Sequence, residues 1–297
     1  MLATLTITDI GFLLLAGFGF AVATHIFEKK KQKTKLICPM RAGDCDTVVH
    51  STHSTFLGMA VEKWGMGYYT SIFITHTFMI FAPTFYPDVF LGISIVLSSG
   101  AVLFSLYLLA LQAFVLRKWC TWCVTSAVTS MIIFVLSIST YASQISLLVA
   151  RFEEAIMRVH LMAIILGAVI AIASSVILVQ FLRDQYLSDH EHDTLRVLSE
   201  IGWFALGGVI LTVLPTVIWN CGSLATLPRL TNELAVLVIL AVGHFLLAHT
   251  VFDSLVHGSF TDSDPVALEH FKKLRRIART LTLILVWGWV VVLMLAV

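Results

Sequence analysis

Eight apolar runs, separated by polar connectors, follow one another along this chain. They read Leu5 to Phe27, Gly65 to Pro83, Val89 to Leu116 and Trp119 to Ser139, then Val159 to Leu182, Ile201 to Trp219, Leu234 to Phe252 and Ala278 to Val297. A membrane-spanning helix needs about 20 mostly apolar residues, so the pattern predicts an all-α polytopic membrane protein of about eight transmembrane helices. The fourth run can continue to Leu148, because Ser137 to Ser146 is polar enough to lie at an interface. The second run is the least apolar, carrying Tyr68, Tyr69, Thr70, Ser71, Thr75, His76 and Thr77. Such a polar span is expected to face a protein interior or a ligand rather than lipid. The first run lacks a basic start and reads as a full span, not as a cleaved signal peptide.

Composition agrees with the pattern. The chain is 58% hydrophobic and 12% charged, with a mean hydropathy of +0.92, far from an ordinary water-soluble domain. The runs divide into two halves of about four spans, joined near Arg151-Phe152-Glu153-Glu154, with no soluble domain, low-complexity tract or internal repeat between them. The expected domains are 1–148, a four-helix bundle, and 149–297, a second four-span membrane region of unassigned role.

Chemistry concentrates in the first half. Cys120 and Cys123 form a Cys-x-x-Cys where the fourth run begins, and Cys38 and Cys45 lie in the polar loop after the first run. A dithiol at a helix N-terminus is suited to thiol-disulfide exchange, because the helix dipole lowers the thiol pKa. Arg117 and Lys118, just before the helix, add positive charge that favours thiolate further. Alternation of eight spans puts both cysteine pairs on one membrane face. All but three of the 19 lysines and arginines, namely Arg151, Arg158 and Arg229, also fall on that face. The positive-inside rule would make it cytoplasmic, whereas disulfide chemistry argues for an oxidising, external compartment.

The order of these residues resembles the vitamin K epoxide reductase family. The resemblance rests on Cys38-Pro39, Asp44-Cys45-Asp46, Ser51, Phe56-Leu57-Gly58-Met59 and Trp64-Gly65-Met66-Gly67-Tyr68-Tyr69, followed by Cys120-x-x-Cys123, and covers roughly residues 1–148. It implies a four-helix bundle around a quinone of ubiquinone or menaquinone type, capped by the cysteine loop. Bacterial relatives form disulfides by oxidising a thioredoxin-like partner and passing the electrons to a membrane quinone. By that match Cys123 touches the quinone and Cys120 resolves it, Cys45 exchanges with Cys120, and Cys38 meets the external dithiol. Ser51, Tyr68, Tyr69 and His76 are the available donors to a quinone carbonyl, while Trp119 and Trp122 could wall its pocket. The implied surroundings are a cell membrane with the cysteines extracytoplasmic, a thioredoxin-like protein dithiol and membrane lipid as partners, and no nucleic acid.

Each of these residues has a plainer role to set against the functional one. Ser51 could cap a helix in the loop, His76 could be a hydrogen-bonder of the bundle interior, and both tryptophans could belong to an interfacial belt. Four thiolates on one face could hold structural zinc, but the loop spacing of Cys38 and Cys45 is wide for a zinc knuckle. The same fold could also serve to reduce a quinone or quinone epoxide for its own sake. In the second half Cys221 reads as a structural thiol. His160, His244 and His249 raise haem as a cofactor, faintly in the manner of small four-helix membrane proteins, although their depths match poorly. His249, Asp253 and His257 share a helical face that reads as a solvated helix end. Partner docking or a lipid-shielding scaffold is the role expected for this half.

Overall fold

A computed structural model describes residues 7–39, 44–82, 87–184, 189–220, 227–247 and 265–296. The first helix, α1 (Ile7–Lys31), is 25 residues long, and its last turn carries Lys29, Lys30 and Lys31. Cations there complement the helix dipole. Lys33 adopts φ 52°, and the Lys33 and Thr34 amides bond back to the Lys30 and Lys29 carbonyls at 3.1 Å each. A left-handed residue with back-bonded amides is a common way to end a helix.

The connector that follows is built from small elements. A short helix, α2 (Cys45–Val49), is capped by Asp44, whose side chain accepts from the Thr47 amide. A 3₁₀ turn (Thr52–Ser54) leads into a two-stranded hairpin, β1 (Thr55–Phe56) and β2 (Met59–Ala60), with Thr55 opposite Ala60 and Phe56 opposite Met59. Its two-residue turn places Leu57 at φ 48° and Gly58 at φ 73°, the double positive φ of a tight hairpin turn.

From the hairpin the chain enters α3 (Val61–Phe81), then α4 (Pro87–Ala110). The ring of Tyr69 on α3 fills the notch left by Gly19 on α1, so tightly that a Cβ at Gly19 would lie 2.2 Å from it. Close approach through small residues is how helices pack when lipid offers no hydrophobic drive. Beyond α4 one widened turn (Leu111–Leu116) ends at Arg117, which has φ 50°. Widened turns of this kind often sit at functional sites. This one redirects the chain into α5.

Helix α5 (Thr121–Asp184) runs on with a single break at Tyr141, φ −113° and ψ 20°. The fourth predicted span therefore opens two residues later than expected. The polar stretch around Arg151 to Glu154, expected as a joint, is helical: Glu154 and Arg158 pair at i, i+4, a spacing that supports helix. After it come α6 (Asp189–Asn220), α7 (Leu227–Leu246) and α8 (Pro265–Ala296). The chain separates into two compact units, 1–151 and 152–297.

Among the described residues five stretches are long and apolar enough to cross a membrane: Ile7–Lys31, Asp88–Leu116, Thr121–Tyr141, Leu147–Ile177 and Arg276–Met294. Val197–Val213 and Ala235–Leu246 are apolar but shorter, and α3 falls below the hydropathy of a span because of its polar residues. The protein is thus a helical, multi-pass membrane protein.

The second unit has its own core, with Trp289, Leu240, Val209, Ile164 and Val292 among the buried side chains. Small residues seat it: Trp289 enters a notch at Gly167, Leu240 lies against Gly288, and Gly208 abuts Ala163.

Candidate active site: two cysteine pairs at one helix start

Cys120 occupies the residue before α5, and its sulfur caps the helix. Its Sγ accepts the Cys123 amide at 3.2 Å, and its carbonyl accepts the Val124 amide at 2.9 Å. This is the position where a helix leaves its amides without intrahelical partners, so negative charge on Cys120 is favoured. Hydrogen bonding by Cys123 outweighs burial and holds the Cys120 thiol below its ordinary range. Both cysteines are free; Cys120 is buried and Cys123 partly so.

Gln112, in the widened turn, fixes where Cys120 sits. Its side-chain oxygen accepts the Cys120 amide at 2.8 Å and its carbonyl accepts the Lys118 amide at 3.1 Å. Gln112 is buried, and a buried amide left without an acceptor costs about 1–3 kcal/mol. Gln112→Ala is therefore expected to lower the melting temperature and to slow any reaction of the Cys120 sulfur by about tenfold or more. Unchanged melting and unchanged thiol reactivity in that variant would remove Gln112 from the site.

The loop pair lies directly on this helix start. Cys38 and Cys45 are joined in a disulfide, and the Cys45 sulfur is 3.4 Å from the Thr121 hydroxyl. Cys45, Cys120, Val48, Val49, Leu36, Ile26 and Val22 share one apolar cluster, with Cys38, Trp122 and Cys123 at its edge. Cys45 is buried while Cys38 is partly exposed.

Three further links hold the loop in place. The Asp44 amide donates to the Trp119 carbonyl at 2.9 Å, Lys118 Nζ donates to Asp44 at 2.9 Å, and Trp122 Nε1 donates to the Ile37 carbonyl at 3.1 Å. The hydrogen bond from Lys118, helped by Thr47, holds the Asp44 carboxyl down at about 2. A depressed carboxyl contributes stability that is present above its unfolded value of 3.8 and lost as pH falls through about 2. This clamp therefore stays charged throughout the neutral range.

The expected quinone-facing residues fall at different places. Tyr69 donates its hydroxyl to the Ser126 carbonyl at 2.8 Å, one helical turn beyond Cys123. Tyr68 stacks at a tilt on Tyr69 with ring centroids 4.8 Å apart, and its own hydroxyl is buried with no hydrogen-bond partner among the described residues. Trp122 lies against His25, and Trp119 is half-exposed beside the loop. Ser51 donates to the Val48 carbonyl at 2.8 Å and so closes α2. The structure does not bring His76 to the cysteines. It lies two helical turns beyond Tyr69, stacked on Phe12 at 3.8 Å and bonded to Ser94 at 3.1 Å.

Among the described residues no group of three or more histidine, cysteine or acidic side chains could hold a metal. In the second unit His160 bonds Thr212 at 2.8 Å, whereas His244 abuts Gly202 and Trp203. Gly202 and Thr212 are ten residues apart on α6, which is roughly 15 Å of helix. Two histidines that flank one haem must lie at one level, so this pair does not. Cys221, His249, Asp253 and His257 lie outside the described residues.

Sequence reasoning missed Gln112, Asp44, Ser126 and the Lys30–Glu62 pair described below. Gln112 had a signal, as the one amide side chain in the apolar run Val89 to Leu116; polar groups in such runs are seldom idle. No curated protein and no solved structure matches this chain. The model of the vitamin K epoxide reductase family matches residues 10–138, the stretch that holds both cysteine pairs and the helices that position them. The first unit of this chain therefore contains a vitamin K epoxide reductase family segment.

Proposed function

We propose that this protein is a quinone-linked thiol oxidase that forms disulfide bonds in a thioredoxin-like partner. The observation that carries the reading is a closed loop disulfide seated over an open Cys-x-x-Cys, with Cys45 against the first residue of the helix that Cys120 caps.

The electron path is a series of exchanges. A partner thiolate attacks Cys38, the accessible sulfur, and displaces Cys45 as thiolate. The partner's second thiol then closes the partner's disulfide and releases Cys38, so two electrons have entered the loop pair. When Cys120 and Cys123 are oxidised, Cys45 attacks Cys120, and closure of Cys38 on Cys45 leaves Cys120 and Cys123 reduced. Each step passes through a mixed disulfide, so the clamp on the loop must loosen during turnover. Cys120 and Cys123 then close into a disulfide, giving up two electrons and two protons, for which a bound quinone would be the acceptor.

The residues present fit a quinone. A buried hydroxyl without a partner, that of Tyr68, is the donor a quinone carbonyl needs in an apolar pocket. Tyr69 and Trp122 lie near the same helix turn and are proposed as its walls. We place the cysteine face outside the cytoplasm, where disulfides persist. The basic residues on that face are then held there by the folded cap. The second unit serves as a lipid-facing scaffold or docking region.

The test is quinone reduction by the purified full-length protein in detergent or nanodiscs, with a dithiol as donor. Turnover of quinone to quinol, one per dithiol oxidised, is expected. If no quinone is reduced and zinc copurifies stoichiometrically, the enzyme reading fails.

A further inference from the structure

Glu62 is the single acidic residue between Asp46 and Asp88. It lies in the first turn of α3 with its side chain only 6% exposed. Its two carboxylate oxygens take Lys30 Nζ at 3.2 and 3.5 Å, and the same ammonium donates to the Ser54 hydroxyl at 2.9 Å and the Ser54 carbonyl at 3.2 Å. Desolvating two charges offsets most of their attraction, so a buried ion pair adds little net stability, and its presence at this spot asks for another reason.

Helix register places the pair beside the Cys-x-x-Cys. Tyr69 on α3 bonds Ser126 on α5, and both helices start at the cysteine end. Glu62 precedes Tyr69 by two helical turns on the same face, while Cys120 precedes Ser126 by six residues. The two offsets come to roughly 10 and 9 Å, so Glu62 and Cys120 lie at one depth. On α1, Val22 and Ile26 pack in the apolar cluster with Cys45 and Cys120, and Lys30 is the next residue along that face at i+4. The Glu62 charge opposes thiolate at Cys120, a smaller influence there than the Cys123 hydrogen bond and burial.

We propose that the Lys30–Glu62 pair is the charge control of the Cys120–Cys123 dithiol, setting how readily a thiolate forms there. The proposal rests on the reading of these two cysteines as a redox dithiol. Lys30 keeps Ser54 as a second anchor, so it stays in place whether or not Glu62 carries a proton. The other charged groups around the dithiol come from the loop, from α1 and from the approach to α5. Asp44 is matched by Lys118 and Asp46 by His50, His25 lies against Trp122, and Arg117 is exposed. Lys30–Glu62 is the least exposed ion pair among them, with Glu62 buried and Lys30 partly so. As positioning residues they act through the cysteines and touch no substrate.

The experiment is alkylation of Cys120 and Cys123 by iodoacetamide as a function of pH, read by mass for each cysteine, on full-length protein whose loop disulfide is intact. Glu62→Gln removes the negative charge, and the alkylation midpoint is expected to fall by about one pH unit. Lys30→Met leaves the carboxylate unmatched and is expected to raise the midpoint by about as much, while Glu62→Asp restores the wild-type profile. Midpoints that stay put while rates change equally at every pH mean a merely structural pair and overturn the proposal. Because the readout uses no quinone, it separates from the function above. Shifted midpoints in a protein that reduces no quinone would uphold the charge control and sink the oxidase.

Discussion

Replacing Cys123 by alanine is expected to abolish quinone reduction, by at least about 10³-fold. Cys120 is fully buried beneath the loop and caps the helix with its sulfur. Cys123 follows one turn along, toward the level of Ser126, Tyr69 and the partnerless Tyr68 hydroxyl. In the variant Cys120 can still exchange with Cys45, but no second thiol remains to close a disulfide and release an electron pair to the acceptor. A stable Cys45–Cys120 mixed disulfide should therefore accumulate, visible as a cross-linked peptide under non-reducing conditions and absent after reduction. The contact of Cys45 with Thr121 at 3.4 Å makes that trap a short movement. Turnover at the wild-type rate in Cys123→Ala would show that the electrons leave by another route.

Much of this site was legible in the chain because its chemistry is local. A Cys-x-x-Cys at the start of an apolar run announces both the helix start and the dithiol. The loop pair between two runs announces a second cysteine couple beside it, which is closed as a disulfide. What reads poorly is whatever depends on two distant segments meeting. Glu62 and Lys30 are 32 residues apart and each looks like an ordinary interfacial charge until α1 and α3 pack. Asp44 looks like a loop residue until Lys118 reaches it across 74 positions. Ser51 and His76 show the converse limit. Both were reasonable donors by residue type, yet one closes a short helix and the other stacks on Phe12 in a separate cluster. The charges near Arg151 read as a joint between halves, and the two units do divide at Arg151; what did not read from the chain is that the backbone there stays helical and that the non-helical residue inside α5 is Tyr141.

Cys45→Ala is expected to separate two kinds of donor. With a small dithiol, quinone reduction should persist within about tenfold of wild type; with a thioredoxin-like protein as donor it should fall by about 100-fold or more. The argument is one of access. Cys120 is buried under Leu36, Val48 and Val49 in the cluster it shares with Cys45, too deep for a folded partner that approaches from outside. A small molecule can enter as the loop opens, since in this variant the loop has lost its disulfide and keeps its apolar packing and its polar links to Trp119, Lys118 and Trp122. Cys38 is left as a lone thiol, so the loop offers no disulfide for the donor's thiolate to attack. In Cys38→Ala the loop likewise has no disulfide to offer, while Cys45 would be free to attack an oxidised Cys120–Cys123 bond and lock Cys120. If Cys45→Ala oxidises the protein donor at full speed, the loop pair is not the shuttle, and the disulfide over the helix start serves the fold rather than the electron path.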